Sequence, residues 1–412
     1  MSLLQAQSAL GLGLLCLLAW ALGGFRRVAS WRVVVGGLVG LIGIAALLLH
    51  VPPLRAVFAL IGRGVDALAR ATQAGTSLVF GYLGGGPLPF QETAPGSSFI
   101  LFFQALPLVL LVGALSAVLY HWRILPFVVR LLAGGLRRLL GLGGAAGFSV
   151  AANVFVGMVE APLLIRPWLG RLTRSELFVV MVAGLATISG NMLVVYALMI
   201  SQVVPDAAGQ LLTASLMGAP AAVLAASLMI PATGVTEGEA EAPRLHASTM
   251  EALLQGTADG LQLLLGIMAT LIVFVALVAL GNEILRPLLG LSLEQIAGWL
   301  FWPLAWAMGV PAEESRVVGQ SLGVKVVVNE FVSYLELARS GGAGLSERSR
   351  LILTYALCGF TNFGSLGIML GGLCAMCPER RPEIVSLGLK SLAAATIACC
   401  MLGATVGVLT PP

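Results

Sequence analysis

The sequence predicts an all-α polytopic membrane protein with about eight transmembrane helices and two re-entrant hairpins, arranged as an inverted internal repeat. Three observations carry that prediction. Charged residues make up 10% of the 412 residues, against about 25% in a soluble globular protein. Asp, Glu, Lys and Arg vanish over runs as long as a bilayer span, among them 1–25, 93–122, 177–205, 207–236, 260–282 and 351–378. Finally, a carboxylate inside an apolar, helix-breaking stretch occurs twice, with similar surroundings each time. A hydrophobic fraction of 58% and a mean hydropathy of +0.98 exclude intrinsic disorder, collagen and a disulfide scaffold, and argue against a soluble enzyme.

A helix needs roughly 20 apolar residues to cross about 30 Å of hydrocarbon, and only helices or closed barrels satisfy their backbone there. A barrel would alternate apolar and polar residues, and these runs do not. Spans are expected near 6–25, 33–50, 98–120, 176–200, 209–231 and 260–285, with two more in the last quarter of the chain. The first run lacks a basic leader and is followed by Arg26 and Arg27, so it reads as a span and not a signal peptide. Arg26, Arg27 and Arg32, then Arg123, Arg130, Arg137, Arg138, Arg166, Arg171 and Arg174, mark the cytoplasmic side by the positive-inside rule. The loop 201–210 has no Lys or Arg and is expected outside, as is the N-terminus.

Two stretches read as interfacial. In 54–71 Phe58, Ile61, Val65 and Leu68 share one helical face while Arg55, Arg63, Asp66 and Arg70 lie elsewhere, and in 123–138 arginines recur every seven residues. The glycines of 36–43 read as a packing face. The loop beginning at 232 is acidic, with Glu237, Glu239 and Glu241. Six cysteines are scattered, and the single C-x-x-C pair, Cys374 and Cys377, sits in a glycine-rich apolar setting with no second pair, so they read as small hydrophobes.

The chemistry concentrates in two places. The uncharged run 139–159 ends in Glu160-Ala161-Pro162 and leads into LLIRPWLGRL, with arginines on both flanks, so entry and exit lie on one side of the membrane. Glycine and proline break the helix, which is tolerated where protein or a watery cavity takes up the freed backbone groups. Half-helix ends then offer N–H groups to substrate oxygens and carbonyls to cations. Residues 313–339 repeat the construction around Asn329-Glu330-Phe331. Each hairpin runs into a helix opened by LTRSEL or LSERSR and interrupted by Thr187-Ile188-Ser189-Gly190-Asn191 or Thr361-Asn362-Phe363-Gly364-Ser365. Glu160 precedes Asn191 by 31 residues and Glu330 precedes Asn362 by 32. Three spans separate the hairpins, so the copies are inverted, which implies alternating access and a secondary transporter.

The stretches EAPLLIRPWLGRLTRSELF (160–178), LATISGNM (185–192), MGVPAEESRVVGQSLGVKVVVNEFVSYLELA (308–338), YALCGFTNFGSLGI (355–368) and PERR (378–381) resemble the concentrative nucleoside transporter family in its bacterial branch, over about 120–410. The resemblance implies a homotrimer in the bacterial inner membrane, a static scaffold and a mobile transport domain, and inward symport of nucleosides with Na⁺ or H⁺. It places Asn153, Val156, Thr187 and Ile188 on the family's sodium ligands, a set of neutral oxygens that suits a hard cation. Glu330, Asn362 and Ser365 fall on the residues that hold the ribose hydroxyls, Phe360 packs beside the sugar and base, and Glu160 matches the acidic residue at the base end. A carboxylate accepts two hydroxyl hydrogen bonds, as a vicinal diol requires.

One departure concerns the base. The family's usual Gln-Thr before the first glutamate is replaced by Met158 and Val159, and Met192 stands for a smaller residue, so the base pocket is expected to be more apolar and its selectivity altered.

The expected organisation is 1–97 for the N-terminal spans and interfacial helix, 98–122 for a third span in the scaffold, and 123–231 for the first core repeat with hairpin 139–169 and broken helix 176–200. There follow 232–259 as an acidic cytoplasmic loop, 260–290 as a scaffold span, and 291–412 as the second core repeat with hairpin 313–339 and broken helix 350–373. An enzyme is not expected, because the three histidines are scattered and neither H-E-x-x-H nor G-x-S-x-G occurs. Nothing signals nucleic acid, and no G-x-x-x-x-G-K-[ST] suggests an ATP-driven pump. The alternatives that stay open are a proton-coupled carrier of another sugar-like solute and an ion channel, since paired re-entrant hairpins also suit a filter.

Overall fold

The computed structural model describes residues 2–26, 31–92, 98–236 and 243–411, and within them the side chains other than those of 52–56, 58 and 59. Arg27 and the acidic Glu237, Glu239 and Glu241 lie outside the described residues, as do the side chains of Arg55 and Phe58. Among the described residues every regular element is helical.

The N-terminal third comprises α1 (Leu3–Leu22), α2 (Trp31–His50), α3 (Pro52–Phe80), a short α4 (Leu101–Gln104), α5 (Leu108–His121) and α6 (Ile124–Leu140). The spans expected at 6–25 and 33–50 are α1 and α2. The span expected at 98–120 is interrupted at Ala105–Pro107, where proline cannot donate the hydrogen bond that would continue α4 into α5. The amphipathic stretch expected at 54–71 is one helix of 29 residues. Val65 is buried and Ile61 and Leu68 pack on the core, which confirms the face read from the sequence.

The first repeat follows as α7 (Gly144–Asn153), α8 (Glu160–Leu164), α9 (Arg166–Leu169), α10 (Arg174–Ala186), α11 (Gly190–Ile200) and α12 (Ala207–Met229). Then comes α13 (Thr249–Leu289), and after it α14 (Leu293–Ala307), α15 (Ala312–Val327), α16 (Glu330–Arg339), α17 (Glu347–Leu357), α18 (Phe363–Met376) and α19 (Arg381–Leu409). Seven helical stretches among the described residues are long and apolar enough to cross a bilayer. The broken pair α17–α18 is the eighth span expected from sequence.

α13 is longer than the 260–285 expected. Its 41 residues span about 60 Å at 1.5 Å per residue, so it projects beyond any bilayer, and its charged ends hid its length. The loop expected to run to 259 therefore stops at Ser248, whose hydroxyl accepts the Glu251 N–H and caps α13. α14, a capped helix carrying Trp299, Trp302 and Trp306, had no element of its own in the sequence reading.

The core is built on α12 and α19, both buried along most of their length. Small residues let neighbours close on them. Gly37 of α2 faces Leu224 and Gly40 faces Leu139 and Pro220, so the glycine face of 36–43 packs as expected, except at Gly43, which has no neighbour. A second close crossing joins α13 to α5. A Cβ on Gly256 would lie 2.7 Å from the Gly113 carbonyl, and one on Gly260 would lie 2.9 Å from Leu110 Cα.

Candidate functional site

In the first repeat, helix ends meet. α7 stops at Asn153 and helix resumes only at Glu160, while α10 stops at Ala186 because Thr187 is extended (φ −122°, ψ 166°). Ser189 is extended as well, and α11 restarts at Gly190. The freed carbonyls find partners across the breaks. Phe155 O accepts the Gly190 N–H at 2.9 Å, and Val154 O and Ile188 O both lie 3.4 Å from the Ser215 hydroxyl on α12. Thr187 Oγ1 lies 3.3 Å from Asn153 O and 3.0 Å from Ala183 O.

One group there is left over. Asn153 is 1% exposed, and among the described residues neither oxygen nor nitrogen of its amide has a hydrogen-bond partner. Buried polar atoms are normally paired, so an unpaired amide at two helix carbonyl ends is the mark of a place prepared for something. Thr187 and Ile188 are buried beside it and Val156 is half-buried, so the four residues expected to ligate a cation gather at these two breaks. Ser215 was missed by sequence reasoning. One of three hydroxyls in an alanine-rich helix, beside Thr213 and Ser227, carries no signal.

The second repeat concentrates the carboxylate. Asn329 caps α16 by accepting the Val332 N–H at 3.0 Å, which makes Glu330 the first residue of that helix. Glu330 is 4% exposed; Oε1 accepts from Tyr196 Oη at 2.7 Å and Oε2 from Asn362 Nδ2 at 2.9 Å. Asn362 in turn caps α18, its Oδ1 accepting the Ser365 N–H at 2.7 Å. Glu330, Asn362 and Ser365, expected to act together, are thus joined directly. Tyr196 was not foreseen. It stacks on Tyr334 with ring centroids 4.7 Å apart and reaches the carboxylate from α11, so both broken helices and the second hairpin meet at one side chain. A tyrosine inside the apolar run Leu193–Ile200 was the available clue.

Lys325, the candidate structural partner of Glu330, donates instead to the Ala356 carbonyl at 2.8 Å. No ion pair joins it to a carboxylate among the described residues.

The tip of the first hairpin rests on α10 and α18. Met158 abuts Gly184, where Met369 also approaches, and Val159 lies 2.9 Å from where a Cβ on Gly372 would be. Ser365, Met369 and Gly372 follow one another along a face of α18, so the two apolar residues sit about 6 and 10 Å along the helix from Ser365. Met192 is buried in the first turn of α11, and Phe360 is half-buried in the break before α18.

Glu160 departs from the expectation of a second carboxylate held in the apolar interior. It is exposed, and it makes no hydrogen bond or ion pair among the described residues. The reason is local: the six-residue break that ends at Glu160 puts it on the rim of the tip, with its carboxylate folded over Gly157. The PERR motif, recognised in the sequence without a role, fixes this hairpin from below. Arg380 Nη1 donates to Leu169 O at 2.8 Å and Leu172 O at 2.7 Å, while Nη2 pairs with Glu383 at 2.7 Å.

Two inverted broken-helix repeats, with a buried carboxylate and a buried unpaired amide at their breaks, define a polytopic membrane transporter of the alternating-access class. Comparison with known proteins shows its family. Three family models match consecutive parts of the chain: the N-terminus of the Na⁺ dependent nucleoside transporters at 10–83, the nucleoside-recognition Gate at 102–203, and the C-terminus of those transporters at 210–407. The chain belongs to this family of nucleoside transporters. It is 32% identical to the nucleoside permease NupC of Helicobacter pylori over 97% of both chains, and 34% identical to human solute carrier family 28 member 3 over 92% of this chain and 56% of that one.

Among solved structures, CNTnw in an inward-facing substrate-bound state superposes with a TM-score of 0.91 at 34% identity over 98% of each chain. A variant of CNTnw in an outward-facing state gives 0.90 at 33% over 99% of this chain and 98% of that one. The likeness therefore reaches back through the first hundred residues, beyond the 120–410 read from motifs, because hydrophobic spans diverge in sequence while keeping their place.

Proposed function

We propose that this chain is a sodium-coupled nucleoside symporter of the bacterial inner membrane, working as a homotrimer. The observation that carries the reading is Glu330, a buried carboxylate aimed by Tyr196 and Asn362 into the meeting point of two broken helices and a hairpin. Burying a charge there costs roughly 2.5 kcal/mol or more at mid-bilayer, which favours retention for function. A ribose diol can exchange its two hydroxyls for the protein donors that now satisfy the carboxylate, with Asn362 and Ser365 completing the grip and Phe360 packing beside the ring.

Sodium is the ion we assign to Asn153, Val156, Thr187 and Ile188, on the strength of the unpaired Asn153 amide and the carbonyl ends around it. Met158, Val159 and Met192 form the apolar wall for the base, and the exposed Glu160 stands at the rim of that end. In this reading 98–122 and 260–290 belong to the scaffold, and the two core repeats, 123–231 and 291–412, carry the moving parts.

The test is uridine uptake and counterflow in proteoliposomes, with and without a sodium gradient at fixed pH. Counterflow of labelled uridine into preloaded vesicles is expected from a carrier and never from a channel. Glu330→Gln is expected to lower uptake on the order of tenfold to a hundredfold while the purified protein keeps its elution profile. Wild-type uptake by that variant would overturn the ribose assignment, and a sodium-independent rate would transfer the coupling to protons.

A further inference from the structure

The two repeats can be placed in register by their helix caps. Thr173 and Ser346 cap α10 and α17, and Ser189 and Asn362 begin α11 and α18; both pairs are separated by 173 residues, so Ala183 and Ala356 occupy corresponding positions. This register pairs Asn362 with Ser189, two residues away from the Asn191 suggested by motif spacing.

Corresponding carbonyls receive different donors. Ala183 O accepts the Thr187 hydroxyl, which also approaches Asn153 O at the end of the first hairpin's entry helix. Ala356 O accepts Lys325 Nζ at 2.8 Å from the last turn of α15, the second hairpin's entry helix. In both repeats, then, the last turn of the entry helix meets the carbonyl end of the first half of a broken helix, where the helix dipole favours positive charge. In the first repeat that place holds an unpaired neutral amide, and in the second it holds an ammonium.

Lys325 is 1% exposed, makes among the described residues this one hydrogen bond of the three an ammonium can make, and lies five residues before Glu330, whose partner Asn362 lies six residues after Ala356. A buried ammonium without an ion pair is costly unless its charge balances another in the same low-dielectric space. Glu330 is that charge.

We infer that the Lys325 ammonium is a tethered cation: it stands in the second repeat where the transported sodium stands in the first, balances Glu330, and leaves the carrier needing one external ion per solute. This rests on the sodium assignment to Asn153 and Thr187 made above. Removing the ammonium leaves the Ala356 carbonyl without its donor and Glu330 without its counter-charge, a vacancy that a second sodium ion can fill.

The experiment measures uridine binding to the full-length purified protein over a sodium titration, for wild type, Lys325→Arg and Lys325→Ala. Wild type and Lys325→Arg are expected to show a Hill coefficient for sodium of about one. Lys325→Ala is expected to bind uridine about tenfold more weakly or worse at low sodium, to regain affinity at high sodium, and to show a Hill coefficient approaching about two. Unchanged affinity and cation dependence in Lys325→Ala would overturn the inference, as would a weakening that sodium does not relieve. Sodium-independent binding by wild type would instead remove the first-repeat assignment, which the wild-type curve reads separately.

Should Lys325→Ala unfold, the double variant Lys325→Ala with Glu330→Gln decides by thermal unfolding in detergent. Recovery of the folded protein when both charges are gone supports charge balance. Failure of both variants shows that Lys325 acts only through its bond to Ala356, and the inference falls.

Discussion

Glu330 illustrates how a single side chain can be held in a costly place by its neighbours. Each carboxylate oxygen has one strong donor, from Tyr196 on one side and Asn362 on the other, so the charge is solvated by protein in the absence of substrate. Tyr196→Phe removes one of those donors and leaves the ring stack on Tyr334 in place. The substrate-free protein is expected to lose about 1.5–3 kcal/mol of stability, as for a hydrogen bond to a charged group, and to bind uridine no more weakly, because the diol takes that donor's place; an unshifted unfolding temperature in detergent would show that Tyr196 only packs.

The apolar wall offers a second residue-scale test. Val159 rests on Gly372 and Met158 on Gly184, and threonine and glutamine have nearly the shapes of the residues they would replace, so the double variant Met158→Gln with Val159→Thr keeps the packing. In the proposed site it adds two polar groups that can reach a base edge. Affinity for uridine is expected to rise severalfold to about tenfold, and the absence of any gain would point to a native solute that is not an ordinary nucleoside.

At the level of elements, the breaks were more legible than the helices. Thr187-Ile188-Ser189-Gly190 and Thr361-Asn362 announced interruptions because small and polar residues interrupt apolar runs, and the similar openings LTRSEL and LSERSR prove to hold the helix caps Thr173 and Ser346. The extents of α3 and α13 were not legible, since amphipathic or charged helix ends look like loops to a reading based on apolar runs. Nor were Ser215 and Tyr196, whose roles come from distant elements that bring carbonyls or a carboxylate to them. The α5–α13 crossing gives the element-scale prediction. Gly256→Leu drives a side chain into the Gly113 carbonyl and Ala117, and should cost about 1–3 kcal/mol. A lowered unfolding temperature in detergent checks this, and an unshifted one would mean the crossing is loose.

For the whole molecule, the resemblance to transporters could be read from motifs in the two repeats, whereas the way the chain's ends lock those repeats together could not. Arg348, buried at the start of α17, is the lock. Its Nη2 donates to Gly407 O at 2.7 Å, Ser8 Oγ at 2.9 Å and Leu4 O at 3.3 Å, and Nη1 donates to Thr410 O. One guanidinium thereby joins α17 and α19 to α1, with Ser8 and Arg348 340 residues apart, and in the sequence it was only one more arginine in LSERSR. Arg348→Ala leaves those acceptors facing a void and should destabilise the protein by about 2–4 kcal/mol. Arg348 lies at the opposite end of α17 from the break that precedes Asn362, some 15 Å away along the helix, so the proposed ribose site keeps its geometry in the fraction that stays folded. The expected result is therefore a lower unfolding temperature with an unaltered uridine Kd per folded molecule. A changed Kd with unchanged stability would mean that the ends of the chain take part in transport itself.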